Sequence, residues 1–303
     1  MTQPEAVAAE LVTLRDFLRH AVTAFETAGL VYAHGTTTAL DDAAFLLLES
    51  LKLPVDQLEP WLDARLLPSE RLLLAKMVNE RVTTRKPSAY LVKKAYIQGV
   101  PFYVDERVIV PRSYIGELLM GDLFGTDGAP LIEDVTSVTR VLDLCTGSGC
   151  LAILAAIRFP LAEVDAIDLS PDALEVARRN VADHDLASRI HLVQGDLMKP
   201  LQHEKYDLII ANPPYVSRAV VEAFPPEYAA EPRMAHLSGE DGFDLVRTIL
   251  AEAPKFLKKG GALLCEVGED RDLLEIQYPA MSFLWLDTEE STGEVFWVRR
   301  EDF

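Results

Sequence analysis

Apolar and polar positions follow two different periods along the chain, and the change of period divides it. Up to about residue 90 the apolar residues recur every three or four positions, as they do along one face of a helix. DDAAFLLLESLKL (41–53) and SERLLLAKMVNERV (69–82) carry this pattern, and Ser69 and Glu70 after Pro68 offer the second a helix start. From Tyr90 onward LVKKAYIQGVPFYVDERVIV alternates and is rich in Val, Ile, Tyr and Phe around Gly99 and Pro101, which predicts a strand pair. SYIGELLMGDLF reads as a helix, followed by a polar loop near 125–138. Seven short apolar runs then predict strands at 139–145, 163–169, 190–194, 206–211, 261–267, 282–286 and 294–300. Helical stretches separate the first five, the pattern of βαβ units and hence of a parallel, doubly wound α/β sheet. The last two have no helix between them, which predicts an antiparallel hairpin at the sheet edge. The expected organisation is a helical domain over 1–90, a β-hairpin linker over 91–112 and a larger α/β domain over 113–303.

Composition narrows the functional classes. Of 303 residues 49% are hydrophobic, so the chain has enough apolar side chains for a true core. Lys plus Arg number 29 against 48 Asp plus Glu, a net charge of -19, which disfavours a generic binder of nucleic acid and suits a basic protein partner. Acidity that merely keeps the protein soluble explains the same number. Cys145, Cys150 and Cys265 show no CxxC spacing and have no histidine cluster beside them, so no metal is expected and a reducing cytoplasm is. No apolar run approaches the roughly 18 residues of a membrane span, and the N-terminus carries acidic residues where a secretory signal has basic ones.

The first candidate chemistry is the turn in VLDLCTGSGCLAI. An apolar strand runs into Gly147-x-Gly149-x-x-Ala152 and a helix begins near Cys150. Glycines there let the backbone turn sharply and approach a ligand, and the small Ala152 permits close helix-strand packing. Asp168, ending the next strand, is placed to accept hydrogen bonds from a ribose diol, and Ser170 with Pro171 starts the following helix without it. A nicotinamide-dependent oxidoreductase shows the same two features. Asp143, four residues before Gly147, and Asp196 in VQGDL add two further acids. An ordered set of three carboxylates suits a cationic nucleoside ligand without phosphates, and S-adenosylmethionine is one.

The second is ANPPYV, directly after the fourth strand. Proline lacks an N–H and holds the residue before it extended, so Asn212 and Pro213 have little freedom and their oxygens are fixed acceptors. A planar NH2 group offers two donors to meet them. Such a nitrogen is a poor nucleophile, and acceptors that orient it and stabilise its developing positive charge address that problem. Tyr215 is then placed to wall the pocket or stack on the planar group, and Pro214 to shape it.

DLCTGSG together with NPPYV resembles the HemK/Prm class of protein-glutamine methyltransferases, and the likeness extends over nearly the whole chain, with ERVTTRKPSAYLV resembling the junction after the class's helical N-terminal domain and VIVPRSYIGELL its Pro-Arg segment beside the cofactor. The resemblance implies a class I S-adenosylmethionine-dependent methyltransferase with a Rossmann-like sheet, preceded by a helical substrate-recognition domain. It further implies that Asn212, Pro213 and Tyr215 act on the glutamine amide with Pro214 beside them. For the cofactor it implies Asp143, Thr146, Gly147, Ser148, Gly149, Asp168, Leu169, Asp196 and Leu197, with Asn212, and with Phe102 and Arg112 from the linker. FYVDERVIVPRSYIGEL, EYAAEP and LLCEVG resemble the branch that methylates a large-subunit ribosomal protein, L-three. The branch acting on release factors carries Pro-Arg-Pro-Asp-Thr-Glu where this chain departs at Ser113, Tyr114 and Ile115. Release-factor methylation, amino-methylation of a nucleic-acid base and non-catalytic cofactor sensing are the competing readings. Glu117 and Glu266 are open between structural and functional roles.

Overall fold

A computed structural model describes residues 3–125, 130–268, 271–289 and 291–303. Of the polar loop expected near 125–138, residues 126–129 lie outside these. By its contacts the chain divides into two compact units. The first takes the residues up to Ala95 with Val104–Glu106 and Phe224–Ala230, and the second takes the rest.

The first unit is helical: α1 (Pro4–Glu10), α2 (Leu14–Ala28), α3 (Ala39–Ser50), α4 (Pro68–Thr84) and α5 (Ser88–Val92). The three- and four-residue spacing seen in the sequence turns Phe17, Phe25, Leu46, Leu47, Leu74 and Val78 into one core. α2 is capped reciprocally by Thr13 and Asp16. α4 begins on Pro68 itself rather than at Ser69, and Glu70 reaches back to accept the N–H of Leu67 at 2.7 Å. Tyr90 to Val92, expected as the start of a strand pair, complete α5 instead. Phe224–Ala230 joins this unit through Glu227, whose buried carboxylate accepts the Val31 N–H at 3.1 Å and pairs with Arg85 at 2.6 Å.

The second unit, which begins at Tyr96 within β1 (Ala95–Ile97), continues with β2 (Val100–Phe102), and the two form a short two-stranded sheet that covers only part of the 91–112 hairpin. It continues through α6 (Tyr114–Met120), β3 (Arg140–Leu144), α7 (Cys150–Arg158), β4 (Glu163–Asp168), α8 (Pro171–Asp183), β5 (Ile190–Gln194), β6 (Tyr206–Ala211) and α9 (Arg218–Glu222). It ends with α10 (Asp244–Phe256), β7 (Leu257–Glu266), α11 (Arg271–Gln277), β8 (Leu284–Asp287) and β9 (Thr292–Arg299). The seven-stranded sheet has the order β5-β4-β3-β6-β7-β9-β8, parallel from β5 to β7, with β9 antiparallel to both neighbours. β7 begins four residues before its expected start, because Leu257 pairs with Tyr206 before a register shift brings Ala262 opposite Leu208. Both faces are covered. Leu208 and Ile210 point into the core beneath α6 and α7, while Ile209 and Ala211 point into the core beneath α10, and all four are fully buried. The strand order reverses between β3 and β6, where Leu144 pairs with Ala211. Open α/β sheets bind ligands at such a reversal, beyond the carboxyl ends of the strands. Cys145 and Asn212, one residue beyond that pair, therefore start the two loops that meet there.

Candidate active site

The turn after β3 is built from left-handed backbone. Cys145, Gly147 and Gly149 have φ of 58°, 56° and 80°. At Gly149 the requirement is doubled, since a Cβ would also lie 3.2 Å from the Ala177 Cβ of α8. At Gly147 an added Cβ meets only the Cys145 carbonyl, at 4.0 Å, so the space beside it is open. Asp168 braces the turn: one carboxylate oxygen accepts the Gly147 N–H at 2.8 Å and the other the Ser170 N–H at 2.8 Å. Ser170 separately caps α8 by accepting the Ala173 N–H. Asp168 was expected to be unneeded for capping α8; beyond that, the structure gives it two backbone partners, each on a separate oxygen that keeps a further lone pair. Burial pushes its carboxyl up and the two N–H groups pull it back.

These elements border an open cleft of about 770 Å³, its mouth included. Of the residues named from the sequence, Gly147, Asp168, Leu169, Asp196, Leu197, Asn212 and Pro214 line it. The others are not among its lining residues. Asp143 is wholly buried in β3, where one oxygen accepts the Thr146 hydroxyl at 2.5 Å and the other has no hydrogen-bond partner. The Ser148 carbonyl accepts from the Asn180 side chain at 2.8 Å, and that buried amide also bonds Tyr103 in both directions. Asn180 thus locks the glycine turn to the segment after β2, and its place at the end of ARRN gave no signal. Phe102, expected beside the cofactor, is 1% exposed in the core and packs near the His184 ring. Pro213 is buried.

Arg112 and Tyr215 are both drawn away by buried glutamates. Arg112 makes a two-pronged pair with Glu231 at 2.8 and 3.0 Å and does not line the cleft. Glu231 also accepts the Val110 N–H at 2.9 Å and lies 2.9 Å from His236 Nε2. It thereby holds the loop whose Pro232, Met234 and Ala235 form a cleft wall that sequence reasoning missed. The Tyr215 hydroxyl donates to Glu266 at 3.0 Å, and Glu266 also accepts the Ser113 hydroxyl at 2.6 Å and the Tyr114 N–H at 3.0 Å. Burial pushes the Glu266 carboxyl up to about 7 against these donors. Burial, then its carboxylate neighbour, raises the Tyr215 hydroxyl well above its ordinary value. Glu117 accepts the Glu289 N–H at 2.9 Å, tying α6 to a residue 172 positions on.

Asp143 gives a stability prediction. Burial raises its carboxyl to about 7. The folded chain therefore holds this proton between the ordinary carboxylate range and pH 7, and its contribution to stability is full at low pH and lost as pH rises through 7. That loss has a limiting slope of about 1.4 kcal/mol per pH unit. Asp143→Asn, of similar shape, is expected to melt above the wild type by a margin that widens from pH 5 to 7 and then levels. Thermal unfolding across that range checks it, and a margin independent of pH contradicts it.

A doubly wound sheet with antiparallel last strands, whose glycine turn and Asn-Pro-Pro-Tyr loop share one cleft, defines a class I methyltransferase. Residues 128–224 match the Methyltransferase small domain family. Ribosomal protein uL3 glutamine methyltransferases are similar over nearly their whole lengths. That of Bradyrhizobium diazoefficiens is 55% identical, covering 97% of this chain and 92% of its own. That of Bordetella pertussis is 50% identical, covering 96% of each. That of Neisseria meningitidis serogroup B is 49% identical, covering 97% and 95%. The chain belongs to the ribosomal protein uL3 glutamine methyltransferase family and is an enzyme. Among the described residues no helix is long and apolar enough to cross a membrane.

Proposed function

We propose that the protein transfers a methyl group from S-adenosylmethionine to the side-chain amide nitrogen of a glutamine in ribosomal protein uL3. The carrying observation is that Asn212 opens, at the end of β6, on the same cleft as Gly147, Asp168 and Asp196. The relatives' common name supports the substrate. The acidic excess, which lies almost wholly in residues 96–303, suits a basic ribosomal protein. A reducing cytoplasm suits three free cysteines.

The residues fit the cofactor. The unpartnered Asp143 oxygen and the open space beside Gly147 suit its ammonium-bearing methionine end. Asp168 retains lone pairs that would take the ribose hydroxyls, and Asp196, with Leu169 and Leu197 as apolar walls, would hold the adenine. When bound, S-adenosylmethionine supplies an electrophilic sulfonium methyl. Asn212 Oδ1 and the Pro213 carbonyl accept the two amide N–H bonds, turning the nitrogen's lone pair toward the methyl. Holding it in line contributes up to about 7–11 kcal/mol in favourable intramolecular cases. The same oxygens stabilise the positive charge that grows on nitrogen as it gains a bond. As the nitrogen gains the methyl it sheds one proton, which passes to water at the open mouth of the cleft, and S-adenosylhomocysteine is left. We assign substrate recognition to the helical unit.

The test offers methyl-labelled S-adenosylmethionine with isolated uL3, a peptide-chain release factor and duplex DNA in parallel. Label on a uL3 glutamine is expected. Label on the release factor alone overturns the substrate, and label on DNA alone overturns the chemical class.

A further inference from the structure

Residues 110–114 are gripped by two buried glutamates. Glu231 takes the Val110 N–H and the Arg112 guanidinium, while Glu266 Oε2 takes the Ser113 hydroxyl and the Tyr114 N–H. The other oxygen of Glu266 is spent on Tyr215, the last residue of the Asn-Pro-Pro-Tyr loop. Two glycines clear the way for that tyrosine. A Cβ at Gly268 would lie 3.0 Å from its ring, and one at Gly242 would lie 2.3 Å from its carbonyl oxygen. Both glycines have positive φ, 68° and 87°. The loop is thus fixed at each end. Its start follows Ala211, which pairs with Leu144 and Cys265 in the middle of the sheet, and its end is tied to Glu266 at the tip of β7. Between the two ties lie only Asn212, Pro213 and Pro214, and proline has a fixed φ.

We infer that Glu266 is a positioning residue of the methyl transfer, holding Asn212 and Pro213 in their reactive orientation through the Tyr215 hydroxyl. This rests on the proposed glutamine chemistry. A residue that only secured α6 would act through Ser113 and Tyr114 and be indifferent to the tyrosine oxygen. Glu266 touches neither substrate nor cofactor in this role, so it acts on turnover and leaves cofactor affinity alone.

The experiment measures kcat, KM for uL3, S-adenosylmethionine affinity by calorimetry and thermal unfolding for Tyr215→Phe, Glu266→Gln, Glu266→Ala and the Tyr215→Phe/Glu266→Ala double variant. Tyr215→Phe keeps the ring and removes one charge-assisted hydrogen bond, so kcat is expected to fall roughly tenfold with cofactor affinity within about twofold. Glu266→Ala is expected to lose more, roughly thirtyfold in kcat, and Glu266→Gln, which still bonds the hydroxyl, to recover most of it. In the Tyr215→Phe background the alanine change is expected to cost less than about threefold further, because the path it acts through is already cut. A Tyr215→Phe enzyme turning over at the wild-type rate overturns the inference, as do losses that multiply in the double variant. Should Glu266→Ala not fold, Tyr215→Phe and Glu266→Gln decide alone. Wild-type enzyme that labels no uL3 glutamine overturns the substrate assignment and this inference together; wild-type label with full-rate variants overturns this inference only.

Discussion

Asn212→Ala is expected to lower turnover by about 10²- to 10³-fold, while affinity for S-adenosylmethionine stays within a few fold. The size comes from what the side chain does at the moment of reaction. An amide nitrogen gains positive charge as it takes the methyl, and a fixed oxygen against its N–H is worth more then than in the ground state. Removing one such preorganised partner from an enzyme site costs about 2.7–4 kcal/mol. The fold should not suffer, because Asn212 is half-buried at the cleft edge, beyond the last strand residue Ala211. The split between turnover and cofactor affinity is the diagnostic reading, obtained from steady-state kinetics on uL3 beside calorimetric titration of the cofactor. Equal loss of both would mean that Asn212 holds the cofactor rather than the glutamine.

The sheet was legible because its strands are short apolar runs, a signal that survives in a single sequence, although β5 and β6 follow one another without the helix expected between them. Burial at β3 and β6 is nearly total, and a fully buried strand reads as an unbroken run such as Leu208 to Ala211. The glycine turn was legible for a backbone reason, since Gly147 and Gly149 occupy left-handed conformations. Side-chain destinations were less so. Arg112 lies three positions from the cleft-lining Ile109 and Tyr215 directly after Pro214, yet both turn toward buried carboxylates 119 and 51 positions away. No local pattern encodes which acid will be the partner. Glu266 was open between a structural and a functional role and Glu231 was not singled out, and only the tertiary fold shows that each satisfies several donors at once. The cleft wall of Pro232, Met234 and Ala235 was missed for a related reason, because an irregular loop has no period to read. The one trace was the EYAAEP stretch, whose Glu231 holds that loop in place.

Asp168→Asn, ordinarily a mild change, is expected to behave as a severe one. Both oxygens of Asp168 face backbone donors, Gly147 N–H on one side and Ser170 N–H on the other. An asparagine has one acceptor oxygen and one NH2, so in either orientation a donor faces a donor at 2.8 Å. If the NH2 turns toward Gly147, the glycine turn loses its brace and its conformation after Cys145 loosens. If it turns toward Ser170, the start of α8 loses a bond, though the Ser170 side chain still caps that helix. Either way one of the two oxygens offered to the ribose becomes a donor. Hydrogen bonds to a charged group contribute about 1.5 kcal/mol or more each, so losing the equivalent of two weakens cofactor binding by about 3 kcal/mol, beyond 100-fold. Asp168→Ala removes both acceptors without introducing a clash and is expected to be no worse than Asp168→Asn. Calorimetry on the two variants tests this ordering, with kcat at saturating cofactor expected to fall far less than affinity. An asparagine variant that binds S-adenosylmethionine like the wild type would show that Asp168 braces the turn without reaching the ligand.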